Sequence, residues 1–121
     1  MPRNEFDRLL LEAVDEGLSI LGESSKQAIY FHLERSFSIK KDEIPYKLET
    51  FSNALEQIFG LGANFIEISI MRRLYKKLGN DFKWYKRGDF TFVDYVIQAR
   101  RSFQKKTAEA IADFGKMVMK H

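Results

Sequence analysis

The chain has 121 residues, no cysteine, two histidines and a formal net charge of +3. Its length and its 45% hydrophobic content fit one ordinary domain with a real core. Without cysteine there is no disulfide framework, thiolate nucleophile or Cys-ligated metal, and two histidines leave little for imidazole chemistry. No run approaches the ~18 uninterrupted apolar residues of a membrane span, and residues 1–7 lack an apolar signal core. The expectation is a cytoplasmic chain with no membrane partner and no cofactor.

A first helix is predicted over 4–21. Asn4 is its N-cap, with acids in the first turn. Phe6, Leu9, Leu10, Ala13, Val14, Leu18 and Leu21 recur at three- and four-residue spacing and form one apolar face. Gly17 lies in that face, where its benefit is the close approach of another helix. Gly22 is placed to stop the helix in a left-handed conformation.

The second helix follows at once, with Ser24 and Gln27 in a capping box. Residues 36–45 are expected to form a loop, because Pro45 disfavours a helical Ile44. Ile39 and Ile44 turn inward from that loop. A third helix is predicted over 48–59, with Phe51, Ala54, Leu55, Ile58 and Phe59 facing inward. A fourth, over 63–78, carries the stripe Ile66, Ile70, Leu74 and Leu78. Phe65, Ile68, Met71 and Tyr75 add apolar surface beyond one face, so this helix is central or also meets a second subunit.

A linker at 81–89 leads to a helix over 91–120, capped by Asp89 or Thr91. Val96, Ala99, Phe103, Ala110, Phe114 and Met117 share a stripe. Thirty helical residues span roughly 45 Å, more than a core of this size covers, so the excess packs on another chain or the helix bends at Gly115. The fold class is all-α: a compact four-helix domain over 1–80, then a linker and a long amphipathic C-terminal helix over 81–121. That last helix packs on the core or on a second subunit.

Charge is unevenly divided. Residues 1–61 carry seven Lys/Arg and eleven Asp/Glu, a net −4; residues 62–121 carry thirteen and six, a net +7. Such a division steers an anionic partner, joins the acidic and basic ends of neighbouring chains, or simply sorts solvated surface.

The stretches 10–18 and 21–34, then Ile39-Lys40-Lys41-Asp42-Glu43-Ile44-Pro45, resemble a family of small archaeal domains, the Nitrosopumilus-type signalling output domains. The match continues through Phe51, Ala54, Leu55, Ile58, Phe59 and Gly60, the run Leu74-Tyr75-Lys76-Lys77-Leu78-Gly79, and Phe92-Val93-Asp94-Tyr95-Val96. The resemblance spans about three quarters of the chain, from 9 to about 101, and carries no catalytic motif. It implies an archaeal, intracellular, mostly helical module placed at the end of a signalling chain.

Two functional readings follow. One is a non-enzymatic, self-associating interaction or output module, a homodimer or a partner for another protein. Its contact residues would be Phe65, Ile68, Met71, Phe103, Phe114 and Met117. The alternative is a nucleic-acid-binding regulator using the basic-aromatic segment 72–87, which holds seven cations and one acid. There Arg72, Arg73, Lys76, Lys77, Lys83, Lys86 and Arg87 would meet phosphates and Trp84 would stack on a base. The structural alternative for the same cations is to offset the helix dipole while the aromatics pack on the core. His32 reads as a partly buried, hydrogen-bonded structural residue. Glu12, Asp15 and Glu16 read as a solvated acidic face rather than an acid/base or metal set. Arg87-Gly88-Asp89 is a chance tripeptide. No glycine-rich phosphate loop, nucleophile elbow or metalloprotease helix motif is present, and the expectation is a chain without catalytic or metal-ligating residues.

Overall fold

The computed structural model describes residues 4–79 and 90–119; these are mostly helical, with no strand among them. Five α-helices run in the order α1 (Glu5–Ser19), α2 (Glu23–Phe37), α3 (Leu48–Phe59), α4 (Ala63–Lys77) and α5 (Phe92–Met119). Short 3-10 turns at Lys41–Tyr46 and Gly60–Gly62 join α2 to α3 and α3 to α4.

Local chemistry sets several of the ends. Asn4 caps α1: its Oδ1 accepts from the Asp7 backbone N–H at 2.9 Å. Thr91 and Asp94 form a reciprocal box at the start of α5. The Asp94 N–H donates to Thr91 Oγ1 at 3.2 Å, and the Thr91 N–H donates to the Asp94 carboxylate at 3.0 Å. Thr91 is therefore the cap of α5, while Asp89 lies outside the described residues.

Two expectations at the chain turns need correction. Gly22 does take a positive φ of 95°, but it serves as the N-cap of α2 rather than as the stop of α1. The helix thus begins at Glu23, and no Ser24–Gln27 box forms. Gln27 donates to the Glu23 carboxylate instead. The second correction is at 36–45, where α2 continues to Phe37 and stops at Ser38 in a left-handed conformation, φ 55°. The Lys41–Tyr46 turn accommodates Pro45, whose fixed φ of about −65° lies within the 3-10 range. Ile39 and Ile44 are both buried, as expected of plugs.

The core gathers one face from each helix. Leu10, Val14 and Leu18 of α1, Leu33 of α2, Phe51 and Leu55 of α3, and Ile70 and Leu74 of α4 are all fully buried. Phe92, Tyr95, Val96 and Ala99 of α5 join them. The first three turns of α5 therefore belong to the same core as residues 4–79. Phe103 ends this contact, its ring 5.9 Å from that of Phe6.

Helix α1 is pressed closest to α4. A Cβ built on Gly17 would stand 2.6 Å from Ile70 Cγ1 and 3.3 Å from the Ile70 Cα, so only glycine admits the two helices at this spacing.

The acidic row of α1 stays partly exposed, and its carboxylates are paired with cations. Asp15 accepts from Lys26 and Lys41, each at 3.1 Å, and from the Tyr30 hydroxyl at 3.0 Å. Glu16 lies 2.8 Å from Lys77 and 4.0 Å from Arg73, and Glu12 lies 3.4 Å from Lys77. The neighbouring elements place these cations along the row, which the spacing within α1 does not reveal. Burial pushes the Asp15 carboxyl up, but the hydrogen bonds from Lys26, Lys41 and Tyr30 outweigh it and hold Asp15 below the usual carboxylate range. Burial, with the Asp15 charge, pushes the Tyr30 phenol upward.

A carboxyl whose pKa is depressed by folding contributes stability above its unfolded value, near 3.8 for Asp15, and loses it as pH falls through the folded value. Asp15→Asn is expected to cost about 1–2 kcal/mol at pH 7 and to flatten the loss of stability below the ordinary carboxylate range. Urea unfolding across a pH series checks both. A variant with unchanged slope would place the acid sensitivity elsewhere.

Candidate functional site

Two exposed apolar features remain once the core is formed. The first is the distal part of α5. From residue 104 to 118 every side chain except the hydrogen of Gly115 is exposed. Helix α5 thus runs about 24 Å past its last core contact, at 1.5 Å per residue over 16 residues. Ile111, Phe114, Met117 and Val118 project from this overhang, between 56% and 67% exposed. They extend the side of α5 that Val96 and Phe103 present to the core, since Ile111, Phe114 and Val118 repeat at three- and four-residue spacing. Helix α5 runs through Gly115 without a break.

The second feature is a groove of about 640 Å³ between α3, α4 and the start of α5. Leu61 and Phe65, 91% and 76% exposed, stand at its mouth, and Ile68 and Met71 form its apolar wall. Leu61 is carried outward by the Gly60–Gly62 turn, where Gly60 takes φ 58°. Glu49, Glu56 and Glu67 also line the groove, and none of its described lining residues is Lys or Arg. The Glu67 carboxylate accepts from the Ser52 hydroxyl at 3.1 Å. Burial, reinforced by the charge of Glu56, raises the Glu67 pKa above its ordinary value, and the Ser52 hydrogen bond opposes the rise.

The residues expected to mediate self-association divide between these places. Phe65 and Ile68 line the groove, and Phe114 and Met117 lie on the overhang. Met71 is 1% exposed and Phe103 packs on Phe6, so both are engaged inside the protomer. Sequence reading missed Leu61, Ile111, Val118 and the three groove glutamates. The spacing of Ile111 and Val118 from Phe114 was the available signal for two of them. For Leu61 the signal was a large apolar residue between two glycines.

The basic segment is partly committed elsewhere. Arg73 and Lys77 face the carboxylates of α1, and Arg73 also donates to Ser69. Arg72 and Lys76 are exposed. Lys83, Trp84, Lys86 and Arg87 lie outside the described residues, as do the 81–89 linker and the Arg87-Gly88-Asp89 tripeptide. His32 is exposed, not buried: its Nδ1 is 3.3 Å from Ser36 Oγ, and its ring meets Phe37 edge-on. Its helix turns that side outward because the neighbouring Ile29 and Leu33 occupy the core face.

A second cleft, of about 730 Å³, lies beside the Lys41–Tyr46 turn and is lined by Asp7, Tyr46 and Arg100. These three polar side chains are engaged with the protein itself. The Tyr46 hydroxyl donates to Asp7 at 2.8 Å, and Arg100 donates to the Pro45 carbonyl at 3.1 Å while covering the Phe6 ring. Among the described residues no group of three or more His, Cys, Asp or Glu side chains is arranged to hold a metal ion. No described helix is long and apolar enough to cross a membrane. No protein-family profile, curated protein or solved structure matches the chain.

Proposed function

We propose that this protein is a non-enzymatic helical interaction module that self-associates as a homodimer in archaeal intracellular signalling or regulation. The signalling context rests on the resemblance to output domains. The self-association rests on one observation above the rest: a helix that leaves its own core and carries Ile111, Phe114, Met117 and Val118 into solvent. A helical overhang of this length is marginal by itself in water, and burial of its apolar stripe supplies the missing stabilisation. Symmetric pairing of two identical chains is the simplest arrangement that provides it.

The nucleic-acid reading has less support, because Arg73 and Lys77 are turned toward α1 and neutralised there. Sedimentation equilibrium is expected to give twice the 14.2 kDa chain mass at tens of micromolar. A strict monomer at those concentrations refutes the proposal.

A further inference from the structure

We infer that the overhang of α5 docks in the acidic apolar groove of a second copy, so that two chains exchange their C-terminal helices reciprocally. The inference rests on the self-association reading and names the surfaces that meet. The occupant of the groove cannot be the chain's own overhang. Phe92 and Val93 line the groove at the start of α5, whereas Phe114 sits about 33 Å farther along the same helix, at 1.5 Å per residue. A continuous helix cannot return to its own beginning.

A single two-fold axis solves this. If the α5 helices of two chains run antiparallel and cross near residue 103, residues 111–118 of each reach the start of α5 in the other. Both contacts then form together, and the assembly closes as a dimer. The arrangement covers the overhang and also Leu61 and Phe65, the two most exposed large apolar side chains in the described structure. Pairing of overhang with overhang would leave Leu61 and Phe65 in water.

Charge favours the same match. Glu49, Glu56 and Glu67 line the groove. The overhang, residues 104–119, carries Lys105, Lys106 and Lys116 against Glu109 and Asp113, a net +1. Opposite potentials meeting in this way favour the encounter and disfavour a like-charged alternative. Within one protomer the acidic and basic halves of the chain already meet along α1 and α4.

The natural chain has no cysteine, so single introduced thiols report the contact cleanly. Asn64→Cys lies at the exposed groove mouth, and Gly115→Cys lies on the overhang, where an added Cβ meets nothing within 4 Å. A short bis-maleimide added to an equimolar mixture of the two variants is expected to give a covalent dimer joining one of each. Phe114→Glu, on an exposed position, is expected to raise the dimer's Kd about tenfold or more with the fold intact by circular dichroism. A chain that sediments as a dimer but cross-links only Gly115→Cys to itself overturns this inference and leaves self-association standing, as paired overhangs. A dimer unaffected by Phe114→Glu also overturns it. A wild-type monomer removes both.

Discussion

Truncating Phe51 to alanine is expected to lower the unfolding free energy by about 3–5 kcal/mol, a large part of the total stability of a domain this size. Phe51 is fully buried on α3, and its ring lies 6.2 Å from that of Phe92 at the start of α5. It therefore links the helical core to the helix that carries the overhang. Removing it forfeits the transfer free energy of the ring and leaves a cavity among Leu55, Phe92 and their neighbours, which cannot close without moving helices. Urea unfolding followed by far-ultraviolet circular dichroism measures the effect. Phe31→Ala is the control of equal size, because Phe31 is exposed on α2 and its loss should stay within about 0.5 kcal/mol. Equal costs at the two positions would mean that the placement of α5 against α3 is wrong.

The second large effect is expected at Gly17. On an isolated helix, replacing glycine by alanine gains about 1 kcal/mol of helix propensity. Here the new methyl meets Ile70 Cγ1 at 2.6 Å and the Ile70 backbone at 3.3 Å. Ile70 is fully buried, so its side chain has nowhere to swing, and α1 and α4 must separate along their whole contact. Gly17→Val, which adds two further methyls there, is expected to cost about 1–3 kcal/mol or more despite the propensity gain. A double-mutant cycle with Ile70→Ala isolates the clash. The pair should be less destabilised than the two single changes added together, because the second substitution removes the atom that the first one strikes. Additive costs would place the origin of the Gly17 effect outside the contact with Ile70.

Separation of α1 from α4 would also disturb the charged seam. Lys77 reaches Glu12 and Glu16 only because the two helices lie this close. The glycine thus sets the distance at which the acidic N-terminal half and the basic C-terminal half neutralise one another. The same constraint turns Arg73 and Lys77 toward the carboxylates of α1.

Much of the groove's character also follows from helix geometry. Phe65 and Ile68 share the outer side of α4, while Ile66 and Ile70 turn inward. Glu67 interrupts an otherwise apolar run, and in the sequence it reads as an ordinary surface acid. In the fold it is buried beside Ser52, a residue of α3, and gives the groove floor its carboxylate.

The sequence by itself determined the helices, the cap at Asn4, the inward plugs Ile39 and Ile44, the span Leu48–Phe59 and a last helix longer than its core. These depend on propensity and on apolar spacing within a few residues, and such local terms are written in the order of the chain. Tertiary structure alone decided that Asp15 meets Lys26, Tyr30 and Lys41, that Met71 turns inward while Phe65 stays in water, and that three glutamates share a groove. Those outcomes depend on which helices become neighbours and at what distance, because a side chain's burial and ionic partners come from elements 11 to 65 residues away along the chain.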